Sequence, residues 1–261
     1  VKVVPKLTLA SALVLAAVSC GTRETSVSTF IIVPGTSPDL GCSYTWQQDD
    51  TWKFMAWAVL DSPGAADVLA LESGYRPDSL PRPGTEVSLP VAGGLESELS
   101  SRMAAARLVR TATDHRESGD DPGAFRALQE AAEADPSWSV PLCDMAIMLL
   151  EEGNCDAAAD ILEPVAYKYR PSLILSRIAW EEGRSDDALS YLQTALSGPD
   201  PPAEALAAAA LLYTVTGNGY AASAIGLRIL AQPDADSRLR LMAVRFALLE
   251  SRRASLQGLD P

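Results

Sequence analysis

A single histidine, His115, stands in the whole chain, flanked by Asp114 and Glu117. Imidazole is the side chain that changes charge near neutral pH, so this residue would have to be the hub of any histidine-dependent acid–base chemistry. At one- and two-residue spacings on one helix, Asp114, His115 and Glu117 make a polar helix end rather than a proton relay. A metal site of several imidazoles is excluded, and so is a triad whose base is any other histidine. The adjacent acids Glu151-Glu152 and Glu181-Glu182 each precede a glycine and read as solvated helix ends, not a cation site. No phosphate loop, nucleophile elbow, CxxC or HExxH occurs. Acids cleave glycosidic bonds only from a cleft that raises one of their pKa values, and the pattern supplies no sign of one. The expectation is a non-catalytic binding protein with no metal and no cofactor.

Charge and composition agree. Lys plus Arg number 21 against 34 Asp plus Glu, a net charge of −13. Residues 1–19 hold two lysines and no acid, so the remainder is more acidic still. Such a chain has no electrostatic footprint for phosphate backbones, and no nucleic-acid partner is expected. Apolar residues make up 48% of 261, enough for one or two compact units with real cores.

The start of the chain bears on compartment. Lys2 and Lys6 precede an apolar run from Leu7 to Val18, too short to cross a bilayer, which takes about 20 residues, but suited to a secretory signal. The run ends in Ala17-Val18-Ser19-Cys20-Gly21. Small residues before a cysteine resemble the lipobox of bacterial lipoproteins, with alanine in place of the usual leucine three residues before Cys20. The resemblance implies cleavage before Cys20, lipidation of its thiol and a cell-envelope location. Gly21, rather than aspartate, favours an outer membrane, facing the periplasm. The alternative is an ordinary cleaved signal with a chance cysteine. Several acyl chains would anchor durably, at about 0.8 kcal/mol per buried methylene. The other cysteines, Cys42, Cys143 and Cys155, are odd in number and read as buried thiols rather than a disulfide framework.

Residues 20–42, rich in Gly, Ser, Thr and Pro, read as the lipidated cysteine and a flexible tether. From 43 to 91 the pattern is strand, helix, helix, strand. Tyr44-Thr45-Trp46 is strand-like and Thr51 is a cap. Trp52, Met55, Ala56 and Val59 recur at helical spacing, Pro63-Gly64 breaks that helix, and Val87-Ser88-Leu89-Pro90 closes the unit. Tyr44 to Trp52, and Leu80-Pro81-Arg82-Pro83-Gly84-Thr85-Glu86-Val87-Ser88-Leu89-Pro90, resemble the opening and closing motifs of the LysM domain, a small module that binds peptidoglycan and chitin. Asp49 replaces a usual glycine, Glu72-Ser73 replaces the common Leu-Asn, and one residue is inserted in the closing motif. The resemblance implies a groove for N-acetylated glycan lined by Asp50, Thr51, Gly74, Tyr75, Arg76, Asp78 and Leu80. The alternative is a module that keeps the fold without useful affinity.

Residues 92–100, with Gly93-Gly94, read as a linker. Beyond them the sequence repeats. Ala124, Leu128 and Ala131 recur as Ala158, Leu162 and Val165, as Ala188, Leu192 and Ala195, and as Ala222, Gly226 and Ile229. Gly119, Gly153, Gly183 and Gly217 lie upstream of each set, and prolines close the units. A period near 34 residues with these features resembles the tetratricopeptide (TPR) repeat. The fold class implied is mostly α: an all-α TPR-like helical solenoid over 101–253 after a small βααβ LysM-like module. A C-terminal capping helix, Arg238 to Arg253, carries Leu241, Val244, Leu248 and Leu249 on its apolar face, and 254–261 form a tail. The resemblance implies a concave, protein-binding face on the first helix of each pair. By position it takes in Ile147, Leu150, Leu173, Arg177, Trp180 and Leu211, with Val109, Thr113, Arg116, Cys143, Ala207 and Thr214 beside them. Trp and Arg are enriched in binding hot spots, although Trp180 equally suits the seam to the next repeat. The joint expectation is a lipid-anchored envelope protein that touches peptidoglycan and scaffolds a protein or peptide partner. The rival is an assembly factor or pilot lipoprotein for an envelope machine, with the LysM-like module a non-binding spacer.

Overall fold

The computed structural model describes residues 31–32, 42–92, 96–197, 201, 203–232 and 237–246. The expected signal segment 1–19, Cys20, Leu248, Leu249 and the tail 254–261 lie outside these residues. The chain divides into two compact units at the bond between Ile161 and Leu162.

In the unit ending at Ile161, β1 (Ile31–Ile32) and β2 (Cys42–Thr45) are followed by α1 (Trp52–Leu60), a short 3-10 turn and α2 (Ala66–Glu72). Then come β3 (Glu86–Leu89) and β4 (Val91–Ala92). β2 pairs antiparallel with β3, Cys42 opposite Leu89 and Thr45 opposite Glu86. β1 pairs antiparallel with β4. The segment 20–42 is therefore not all tether: Ile31 and Ile32, β-branched and suited to extended backbone, form a strand. Pro90, which has no N–H to offer a ladder, separates β3 from β4.

Thr51 caps α1, accepting a hydrogen bond from the Phe54 N–H at 3.1 Å, and the helix ends at Asp61 in a left-handed conformation. Trp52, Met55, Ala56 and Val59 are buried as their spacing requires, with Leu69 and Ala70 of α2 beside them.

The next helix, α3 (Glu96–Glu117), starts inside the span 92–100 expected to be linker. Leu99 and Met103, four residues apart, are both buried, so residues 96–100 continue one apolar helical stripe instead of a hinge. Then follow α4 (Asp121–Ala134), α5 (Val140–Glu151) and α6 (Cys155–Leu162), which ends at the unit boundary. One core runs through this unit, joining Trp46, Trp52 and Met55 to Leu99, Met103, Leu128 and Trp138.

The second unit contains α7 (Tyr169–Glu181), α8 (Ser185–Ala195), α9 (Ala203–Val215), α10 (Gly219–Ala231) and a helical run over 237–246. Its core is made of Leu173, Ala179, Leu192, Leu206, Ala207 to Ala210, Ile229 and Phe246.

The four expected turns are alike in both units. Gly119, Gly153, Gly183 and Gly217 all have φ between 79° and 84°, the left-handed region that glycine enters without penalty. After each, the next N–H bonds back five residues at 2.8 Å: Asp120 to His115, Asn154 to Leu149, Arg184 to Ala179 and Asn218 to Tyr213. That is the glycine-terminated helix end, repeated four times. Asp120, Asn154 and Asn218 then cap the following helix with their side chains, whereas Arg184 does not.

The last helix turns a different face inward from the one expected. Leu239, Ala243 and Phe246 are buried, and Leu241 and Val244 are exposed. The reason lies in α10: a Cβ on Gly226 would come within 2.9 Å of the Ala243 carbonyl oxygen, so a glycine seats the backbone at Ala243 directly against α10.

Candidate functional site

The expected glycan groove divides into two parts. Asp50 is only 2% exposed. Its carboxylate accepts hydrogen bonds from the Gln47 N–H at 2.8 Å, from the Tyr44 hydroxyl and from the Arg107 guanidinium of α3 at 3.0 Å. Arg107 also donates to the Tyr44 oxygen. Burial, and then the hydrogen bond to Asp50 and the charge of its carboxylate, push the Tyr44 hydroxyl well above its ordinary pKa. Asp50 thus joins the β2–α1 loop to α3 and does not line an open groove. Thr51 is engaged in capping α1. Nearby, Arg110 of α3 donates to the Asp49 carbonyl at 3.2 Å and stands 4.7 Å above the Phe54 ring.

The rest of the set forms one loop. Gly74, Arg76, Asp78 and Leu80 are exposed, and Tyr75 is half-buried with its ring 5.5 Å from that of Trp52. The Trp52 indole N–H donates to the Ser79 carbonyl at 2.8 Å, which pins the loop to the start of α1. What remains accessible is a mostly polar loop surface, with Pro77 and Leu80 exposed on it and Tyr75 half-buried.

On the helices, the expected binding positions grade from core to surface. Val109, Cys143, Leu173 and Ala207, the first of these positions on α3, α5, α7 and α9, are buried. Leu173 was expected on the binding face but belongs to the core of its unit, because that position faces inward from α7. Ile147 and Leu150 of α5 are half-buried. Trp180 and Leu211 are also half-buried, packed against their own core, which favours the seam-filling role for Trp180. Arg177 pairs with Glu181 one turn along at 2.8 Å.

One cluster on α3 and α5 stands out. Arg116 reaches from α3 to Glu151 of α5 at 2.6 Å. Asp144, one turn from Ile147 on α5, has its pKa pushed up to about 7 by burial, against the pull of the Arg116 charge. The groups facing this stripe are thus Arg116, Asp144, Ile147 and Glu151.

The sequence pattern missed the polar junction between α1 and the helices after it. Arg102 of α3 pairs with Asp135, both nearly buried, and donates to the Ala58 carbonyl at 3.2 Å. Burial opposes ionisation of Asp135, but hydrogen bonds from Ser137 and Arg102 overcome it and hold the carboxyl below its ordinary range. The Trp138 indole donates to Asp61 at 2.8 Å, and its ring lies 5.2 Å from that of Trp57. No short-range motif marks these partners.

His115 faces Asp120 across the α3–α4 turn, Nδ1 to Oδ2 at 2.8 Å, not Asp114 or Glu117. Asp120 at the same time caps α4, so the pair belongs to the turn. Among the described residues there is no group of three or more His, Cys, Asp or Glu placed to hold a metal ion. No helix among them is long and apolar enough to cross a membrane.

No family model matches the sequence, and no curated protein matches it. Among solved structures, the crystal structure of MamA protein is similar at 19% identity and a TM-score of 0.42, over 60% of this chain and 97% of that one.

Proposed function

We propose that this chain is a non-catalytic scaffold of the bacterial cell envelope, which holds a protein or peptide partner on the first helices of TPR-like hairpins. The observation that carries the reading is the stripe on α3 and α5. Ile147 and Leu150 offer half-buried apolar surface, and the Asp144 carboxyl and the Arg116–Glu151 ion pair lie beside it. A partly desolvated carboxylate next to an aliphatic side chain suits a partner segment with a cationic group flanked by apolar residues. The anchor in this reading is the lipid on Cys20, which mass spectrometry of the N-terminal peptide checks directly.

Ile147→Asp tests the partner face, since it places a charge on the stripe while leaving the turns and the core of the unit untouched. The full chain is expected to capture a defined protein from envelope extracts, and the variant to lose it while keeping its circular dichroism and melting temperature. Equal capture by the folded variant would contradict the reading.

A second reading keeps a glycan contact at the loop from Gly74 to Leu80. Its support is the βααβ order and the exposure of Arg76, Asp78 and Leu80. Weak affinity suffices there, because a lipid anchor confines the loop near the wall and raises its effective concentration. Sedimentation of the full chain with purified peptidoglycan sacculi, compared with Asp78→Ala and Leu80→Ala, tests it. Removing residues 43–91 is not a usable control, because Trp46, Trp52 and Met55 share a core with Leu99 and Met103. If neither wild type nor variants sediment, the βααβ module acts only as a cap on the first hairpin.

A further inference from the structure

Two six-residue stretches, far apart in the chain, share one pattern with inverted charge. Asp67-Val68-Leu69-Ala70-Leu71-Glu72 lies on α2, and Arg240-Leu241-Met242-Ala243-Val244-Arg245 on the helical run 237–246. The two middle positions face the local core in both: Leu69 and Ala70 are buried, Ala243 is buried and Met242 half-buried. The other four are exposed in both. At about 100° per residue, the first, fifth, second and sixth positions follow one another around the outer arc of a helix. Each outer face is therefore an apolar pair framed by two charges. On α2 the pair is Leu71 and Val68, 61% and 48% exposed, between Asp67 and Glu72. On the last helix it is Val244 and Leu241, 39% and 57% exposed, between Arg240 and Arg245. Arg238 adds a third positive charge on that side.

We propose that these two faces dock between copies of this chain, α2 of one copy against the helix 237–246 of the next. The occupant of each face is then a second copy, selected by charge complementarity and by apolar pairs of equal spacing. Neither face is self-complementary, since acid would meet acid or arginine would meet arginine. The contact is therefore heterologous and joins copies head to tail. Two turns of helix on each side cover less than the 1,200–2,000 Å², roughly, of a standing interface, so association is weak. The framing charges are solvent-exposed, so association also falls with salt.

Sedimentation velocity on the full chain tests this, at low salt, over protein concentrations from about 10 μM to about 1 mM, the regime expected for so small an interface. The weight-average mass is expected to rise continuously with concentration and to return to monomer in high salt. Asp67→Arg/Glu72→Arg makes both faces basic, and Arg240→Glu/Arg245→Glu makes both acidic. Each variant alone is expected to associate at least about tenfold more weakly. An equimolar mixture of the two is expected to recover association, because every junction then pairs acid with base. All four residues are exposed, but Arg240 also donates to the Gln232 carbonyl at 3.0 Å, so a melting temperature for each variant confirms folding. A wild-type mass that does not depend on concentration, association unchanged by the reversals, or a mixture that stays monomeric would each overturn the proposal.

Discussion

Trp46, Trp52 and Trp138 are buried in the unit ending at Ile161, and Arg102 and Asp135 form an ion pair inside it. The unit that begins at Leu162 is built differently. Ala205 and Ala207 to Ala210 are buried, its buried polar side chains include Ser172 and Ser176, and their hydroxyls donate to the carbonyls of Ala166 and Ala188. Large rings and a buried ion pair can be satisfied in few arrangements, so they fix how a βααβ module meets a helical hairpin. Small residues let helix backbones approach closely but specify less, and a uniform hairpin needs no more. The difference teaches that the first unit is a junction between two kinds of architecture, whereas the second repeats one.

Four substitutions break or sharpen this contrast. The largest effect is expected for Arg102→Met, which leaves the Asp135 carboxylate buried without its guanidinium and costs about 3–5 kcal/mol. Urea denaturation should show the loss in the first unit. Gly226→Ala comes next, since its Cβ would crowd the Ala243 carbonyl, and overpacking of this kind costs about 1–3 kcal/mol. Its melting transition should fall in the second unit alone.

The third is a pH effect at Asp144. Its pKa near 7 in the folded chain lies above the roughly 3.9 of an unfolded aspartate, so the folded state holds the extra proton between those values. Stability contributed by this group is greatest on the acid side and falls as pH rises through that window. Asp144→Asn is expected to flatten the slope between about pH 4 and pH 7, read from urea midpoints. Smallest is Arg184→Asn, which supplies the side-chain cap that Asp120, Asn154 and Asn218 give the other hairpins. Because the exposed pairs of Arg184 with Glu182 and Asp187 are lost with it, the net gain expected in thermal melts is below about 1 kcal/mol.

What the sequence made legible was local. The four glycine turns, the small buried residues Ala124, Ala158, Ala188 and Ala222, and the Thr51 cap all rest on neighbours within one or two turns of helix. The junction was not legible, because Arg107 and Asp50 are 57 residues apart, and Trp138 and Asp61 are 77 apart. Asp50 shows the consequence: a short acid in a loop suits a glycan contact, and only the arrival of Arg107 and Tyr44 makes it internal. The final helix shows another. Leu239, Leu241, Met242, Val244 and Phe246 give it apolar residues on both faces, so periodicity alone does not choose, and Gly226 in α10 decides which face turns in.

The central claim, that the βααβ module and the first hairpin fold as one body, is tested most directly by native-state hydrogen exchange on wild type and Arg102→Met. The account predicts that amides of α1, α3 and α4 open together in wild type and lose protection together in the variant, while those of α7 to α10 are unchanged. Loss of protection confined to α3 and α4, with α1 exchanging as before, would contradict it and return the module to the status of an independent, tethered domain.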